Sequence, residues 1–94
     1  MKILFVAPKY NYGNPQRGHS FEYFNFWSAI KNLPHCEPHY FSIDTLKRDE
    51  MNKELLHEVA IFKPDLVFFI LFTDEIKLVT IKKISNLKNT VTLN

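Results

Sequence analysis

Short apolar segments alternate along this chain with longer amphipathic ones. Four of the apolar segments are predicted to be β-strands: 2–7 (KILFVA), 39–43 (HYFSI), 65–72 (DLVFFILF) and 90–93 (TVTL). The first and third are continuous apolar runs rich in β-formers, which is typical of parallel strands buried on both faces. The second follows Pro38 and mixes polar with apolar residues, which favours an edge strand.

Three amphipathic segments between the strands are predicted to be helices. The first spans 20–33, with Ser20 at its N-cap and with Phe24, Trp27 and Ile30 spaced for one buried face. The second spans about 48–62 and ends before Pro64. The third spans about 75–87. The apolar residues available for packing are Met51, Leu55, Leu56, Val59 and Phe62 in the second helix, and Ile76, Val79, Ile84 and Leu87 in the third.

The resulting order of elements, βαβαβαβ, predicts a three-layer α/β fold of the Rossmann-like or flavodoxin-like kind, with a four-stranded parallel sheet and three helices. The strand order 2-1-3-4 is favoured, because the alternative 3-2-1-4 would leave the very hydrophobic segment 65–72 at an edge. No helix follows the fourth strand to cover it. We therefore expect residues 1–94 to be one Rossmann-like domain, or the N-terminal part of one, from a longer two-domain protein.

Composition narrows the function classes. The net charge of +2 is too small to predict nucleic-acid binding, and a single cysteine excludes an internal disulfide. The longest apolar run, 66–72, is far shorter than the roughly 20 residues of a membrane-spanning helix. The apolar run at the N-terminus stops at Pro8 and is too short for a signal peptide. These features predict a soluble cytoplasmic chain without a membrane span.

The candidate site follows from the predicted topology. In open parallel sheets, ligands bind beyond the C-terminal strand ends, where the strand order reverses. The loop 8–19 and the tip 73–74 should meet at that point, and four polar residues crowd the start of the first helix: Arg17, His19, Ser20 and Glu22. A helix N-terminus suits an anion or a sugar hydroxyl. His19 could act as a general base if an acid such as Glu22 held its tautomer.

Other chemistries are less well supported. The stretch GNPQRGHS (13–20) nearly matches a phosphate-binding loop, but Gly13 lies six residues after Ala7 and His19 replaces the lysine. Asp74 lies near the phospho-acceptor position of a receiver domain, yet no acidic pair follows the first strand, so an N-cap role is favoured. HCEPH (35–39) has too few ligands for a closed zinc site, and we expect no metal.

Five aromatic residues crowd positions 21–27 (FEYFNFW), more than one buried stripe requires. Core packing accounts for Phe24 and Trp27. Phe21, Tyr23 and Phe26 are candidates to pack on a neighbouring domain or to line a cleft, while a structural role is favoured for most of the five.

Three segments together resemble a known family: MKILFVAP at the start, RGHSFEYF at 17–24, and FKPDLVFFILFTDEI at 62–76. They are similar to the N-terminal domain of CgeB-like glycosyltransferases. The resemblance implies the two-domain GT-B fold, in which the nucleotide-sugar donor binds mainly to the C-terminal half and the N-terminal half binds the acceptor, a sugar or a protein. It implies no bound metal and no further cofactor, and it implies that this part alone is inactive.

By the same resemblance, His19 is the candidate base for the acceptor hydroxyl. The predicted topology adds Glu22 beside it and places the expected substrate contacts at Gly13, Arg17, Gly18, Ser20 and Asp74. The alternative is a non-enzymatic flavodoxin-like or receiver-like module that binds a protein partner through the predicted helix that carries the aromatic residues 21–27.

Overall fold

The computed structural model describes residues 1–10, 14–44, 47–71 and 75–93. Its strands are β1 (Lys2–Ala7), β2 (Glu37–Ser42), β3 (Leu66–Phe69) and β4 (Val91–Leu93). They form one parallel sheet in the order β2-β1-β3-β4. The predicted fold class and strand order are confirmed, and the order reverses between β1 and β3.

The edge position of β2 explains its composition. The strand begins two residues earlier than predicted and includes Pro38. Proline lacks a backbone N–H and is tolerated in a sheet where that position faces away from the neighbouring strand. The strand β2 therefore accommodates Pro38 without losing a hydrogen bond to β1.

The first predicted helix differs from expectation in its winding. A 3₁₀ turn, Pro15–Arg17, precedes it, a π-helix spans Tyr23–Trp27, and the short helix α1, Ser28–Ile30, completes it. The N–H of Ser28 donates to the carbonyl of Tyr23, five residues earlier. The helix predicted over 20–33 is therefore present over 21–30, but its central part is wound as a π-helix. We refer to the continuous helical segment 21–30, which includes Tyr23–Trp27 and α1, as the aromatic helix.

The other two helices are α2 (Arg48–Phe62) and α3 (Leu78–Ser85), which cover one face of the sheet. Lys63 ends α2 with a left-handed φ of 52°, and its N–H donates to the carbonyl of Val59 at 2.9 Å. A residue before proline avoids the right-handed α conformation, so Pro64 ends the helix as predicted. The core on this face comprises Leu4, Val6, Phe41, Ile43, Met51, Leu55, Val59, Phe62, Val67, Phe69, Ile76 and Ile84.

The aromatic helix covers the opposite face. The ring of Phe5, which is fully buried in β1, lies 6.4 Å from Trp27, 5.1 Å from Tyr40 and 5.6 Å from Phe68, centroid to centroid. Phe26 packs at 6.1 Å on Phe68. Helices therefore lie on both faces of the sheet, which makes the three predicted layers.

Three expectations about packing are wrong. The helical spacing predicts that Phe24, Val79 and Leu87 pack inward, but all three are exposed. For Phe24 the reason is the π-helix, whose i→i+5 winding breaks the spacing of three and four residues that an α-helical face requires. In α3, Thr80 instead of Val79 is buried, four residues after the buried Ile76.

Candidate functional site

The candidate site lies at the C-terminal end of β1, where the chain leaves the sheet at Pro8 and returns at Ser20. Tyr10 and His19 form an antiparallel bridge, and the N–H of Ser20 donates to the carbonyl of Lys9 at 2.8 Å. The two ends of the loop are therefore held side by side above β1. Arg17 and Gly18 lie in the exposed part of the returning segment.

Ser20 connects this loop to the helix that follows. Its hydroxyl donates to the carbonyl of Pro8 at 2.6 Å and accepts from the N–H of Tyr23 at 3.1 Å. An N-cap side chain accepts a hydrogen bond from the N–H of the third helical residue, as the Ser20 hydroxyl does here. The predicted N-cap at Ser20 is therefore confirmed. Ser20 is buried, and both functions of its hydroxyl are used within the fold.

Tyr40 reaches the same carbonyl from β2. Its phenol donates to the Pro8 oxygen at 2.6 Å. Burial raises the pKa of Tyr40 well above its ordinary value; the neighbouring Ser20 hydroxyl opposes the increase, and the Asp44 and Glu22 carboxylates add to it. The phenol therefore stays protonated near neutral pH and acts as a hydrogen-bond donor.

Asp44, just beyond the end of β2, holds the start of the loop. Its Oδ2 accepts from the backbone N–H groups of Lys9 and Tyr10 at 3.1 and 3.0 Å, and its Oδ1 accepts from the Ser42 hydroxyl. A carboxylate that accepts two backbone N–H groups makes charge-assisted bonds, which are stronger than neutral ones. Asp44 therefore fixes the backbone that carries Tyr10.

His19 lies in a stack of aromatic rings. Its imidazole is 4.0 Å from the Tyr23 ring and 5.5 Å from the Tyr10 ring, nearly parallel to both, and the Phe24 ring meets it edge-on at 5.9 Å. The ammonium group of Lys9 lies 5.9 Å from the centroids of both tyrosine rings, within cation–π range. These contacts fix the plane of the imidazole.

The Nδ1 atom of His19 is buried and has no hydrogen-bond partner among the described residues. Glu22 is buried nearby, but it does not bond to this nitrogen. A polar atom in that situation costs about 1–3 kcal/mol. The geometry therefore orients the ring by stacking and leaves the expected His19–Glu22 hydrogen bond unformed.

The predicted site residues divide into three groups. His19, Ser20 and Glu22 lie together at the start of the first helical segment, where the sequence predicts them. Arg17 and Gly18 precede them in the exposed loop, and Gly18 has a φ of +80°, which favours glycine. Gly13 and Asp74 lie outside the described residues.

Three residues of the site, Tyr10, Tyr40 and Asp44, are not predicted from the sequence. A signal existed for Asp44, because it closely follows the β2 segment and so had to lie at the C-terminal edge of the sheet. Tyr40 offered no such signal, since its position in an edge strand does not specify which group its phenol reaches.

No group of three or more His, Cys, Asp or Glu side chains within 1–10, 14–44, 47–71 and 75–93 is arranged to hold a metal ion. Within the same ranges, no helix has the length and hydrophobicity needed to cross a bilayer.

Comparisons with models of known protein families, with curated proteins and with solved structures find no significant match to this chain. The function of the site is therefore inferred from its geometry.

Proposed function

We propose that this chain is the acceptor-binding part of a GT-B-type glycosyltransferase, with the acceptor at the C-terminal end of β1. The observation that carries the proposal is the position of the His19 stack, on a long loop at the point where the strand order reverses. Ligands of open parallel sheets bind at this point. Sites for small molecules are usually lined by aromatic and apolar side chains together with a few oriented polar groups, as this site is.

In this proposal His19 accepts the proton of the acceptor hydroxyl. Two rings restrict the orientation of the imidazole, a property that a positioned base needs. Glu22 contributes negative charge near the site without bonding to Nδ1. Transfer itself requires a nucleotide-sugar donor, which the resemblance assigns to a C-terminal domain.

Binding by the 94-residue chain tests the proposal. Backbone amide resonances are followed by NMR during titration with neutral oligosaccharides and, separately, with uridine diphosphate. We expect the saccharides to shift the amides of Tyr10, His19 and Tyr23, and the nucleotide to leave them unchanged. Perturbation by the nucleotide alone, or by neither class of probe, would contradict an acceptor site here.

A matched pair of variants separates the site from the surface. His19→Ala removes a stacked ring and should weaken saccharide binding by about two- to tenfold, since an aromatic pair contributes about 0.5–1.5 kcal/mol. His57→Ala changes an exposed histidine of α2 and should bind as the wild type does. In a longer protein that carries a donor domain, His19→Ala should also lower kcat by about 10²–10⁴-fold.

A second candidate is a module that binds a protein partner through the aromatic helix. The observation that favours it is the exposure of Phe21 and Phe24, at 67% and 59%. A stable dimer of the isolated chain that dissociates on Phe21→Ser and Phe24→Ser substitution, without saccharide binding, would support this function instead.

A further inference from the structure

A groove runs along the outer edge of β2, away from the His19 stack. It has a volume of about 410 Å³ and is lined by residues 38–42 of β2, by Glu54 and Glu58 of α2, and by Trp27 of the aromatic helix. The floor of the groove is therefore a strand edge, with an acidic wall on one side and an aromatic wall on the other.

The backbone of β2 presents hydrogen-bonding groups to this groove. The N–H of Glu37 donates to Met1 and that of Ile43 donates to Ala7, so odd-numbered residues of the strand face β1. Because backbone groups alternate along a strand, Tyr40 and Ser42 direct their N–H and C=O groups outward. Pro38 adds an outward carbonyl and has no N–H to leave unpaired.

The acidic wall of the groove can accept cations. Among the described residues, the carboxylates of Glu54 and Glu58 form no ion pair and no hydrogen bond, whereas the Asp49 carboxylate of the same helix pairs with Lys77. Glu54 and Glu58 are four residues apart, so they lie about 6 Å apart along the helix axis. Side chains at positions i and i+2 of an extended peptide strand are about 6.6 Å apart, which closely matches the spacing of the two glutamates.

We propose that the edge of β2 binds an extended basic peptide segment as an added strand. Two Lys or Arg side chains at alternate positions pair with Glu54 and Glu58. The apolar residue between them faces Trp27 on the other side of the sheet. Main-chain bonds to Tyr40 and Ser42 supply affinity, and the two acidic residues select the sequence, as in other cases of strand addition. This interaction is independent of the function proposed for the His19 site.

The single tryptophan of the chain lies in the groove and reports occupancy. The probe is a blocked peptide, Thr-Lys-Val-Lys-Val-Thr, and its control has Glu in place of both Lys. We expect only the basic peptide to change Trp27 fluorescence, with an affinity that falls as salt is added. Amide exchange should slow at Tyr40 and Ser42, while His39 and Phe41, which already face β1, keep their rates.

Variants test the charge selection. Glu54→Gln with Glu58→Gln should weaken binding roughly two- to thirtyfold, since each exposed ion pair contributes about 0.2–1 kcal/mol. Glu50→Gln, one turn earlier on α2 and outside the groove, should leave binding unchanged.

The proposal would be overturned if millimolar basic peptide left the fluorescence unchanged, or if the acidic peptide bound equally well. It would also be overturned if the peptide bound without slowing amide exchange at Tyr40 and Ser42. Protection of these two amides by self-association of the chain, before peptide is added, would overturn it as well.

Discussion

The carbonyl of Pro8 accepts two hydrogen bonds, and this arrangement predicts a non-additive effect on stability. The hydroxyls of Ser20 and Tyr40 both donate to it at 2.6 Å, and Pro8 is buried. Either substitution, Ser20→Ala or Tyr40→Phe, leaves one donor in place. Only the double variant leaves the buried oxygen without a donor.

The magnitudes follow from the contacts. Ser20→Ala also removes the N-cap, so we expect a loss of about 1–2 kcal/mol in the free energy of unfolding, or roughly 5–10 °C in Tm for a domain of this size. Tyr40→Phe loses one hydrogen bond, about 1 kcal/mol. In the double variant the orphaned carbonyl adds about 1–2 kcal/mol beyond the sum of the single losses.

Urea denaturation followed by far-UV circular dichroism measures each free energy of unfolding. The single and double variants form a double-mutant cycle. A control cycle combines Tyr40→Phe with Ser85→Ala, which removes an exposed hydroxyl bonded to Ile81 of α3 and to Thr92. That cycle should be additive within about 0.5 kcal/mol. Additive losses in the Ser20 and Tyr40 cycle would refute the shared-acceptor argument.

Two further predictions concern the loop and the surface. Gly18→Ala should lower the free energy of unfolding by about 1 kcal/mol, because Gly18 has a positive φ. An added Cβ would meet no other atom, so the backbone conformation is the source of this loss. A urea midpoint equal to that of the wild type would contradict the prediction. For Asp49, the Lys77 ammonium lowers the carboxyl pKa below its ordinary value of 3.8. The pair therefore stabilises the fold fully above pH 3.8, and its contribution is lost as the pH falls through the lowered pKa. The small Tm difference between wild type and Asp49→Asn should accordingly vanish in acid and in high salt. A difference that grows in acid would show that the assigned sign is wrong.

Much of the fold was predictable because its signals are local. The buried strands β1 and β3 lie within continuous apolar runs, the stripe on α2 has helical spacing, and Pro64 ends that helix by steric exclusion. The cap at Ser20 was equally readable, because an N-cap needs only a hydroxyl at the right distance before a helix.

The details of the candidate site depended on contacts between distant parts of the chain. Asp44 reaches the Lys9 and Tyr10 amides across 35 and 34 residues, and Tyr40 reaches Pro8 across 32. Likewise, the groove along β2 exists only once α2 and the aromatic helix flank that strand.

The sequence alone determined the order of elements, the central strands and the presence of His19 and Glu22 at a helix start. Tertiary structure decided which aromatic rings are buried, because the π-helix over Tyr23–Trp27 rotates Phe24 outward. It also placed His19 against two tyrosines instead of on Glu22. The physical reason is that propensity and periodicity act over a few residues, whereas helix winding and side-chain partners are set by packing against the sheet.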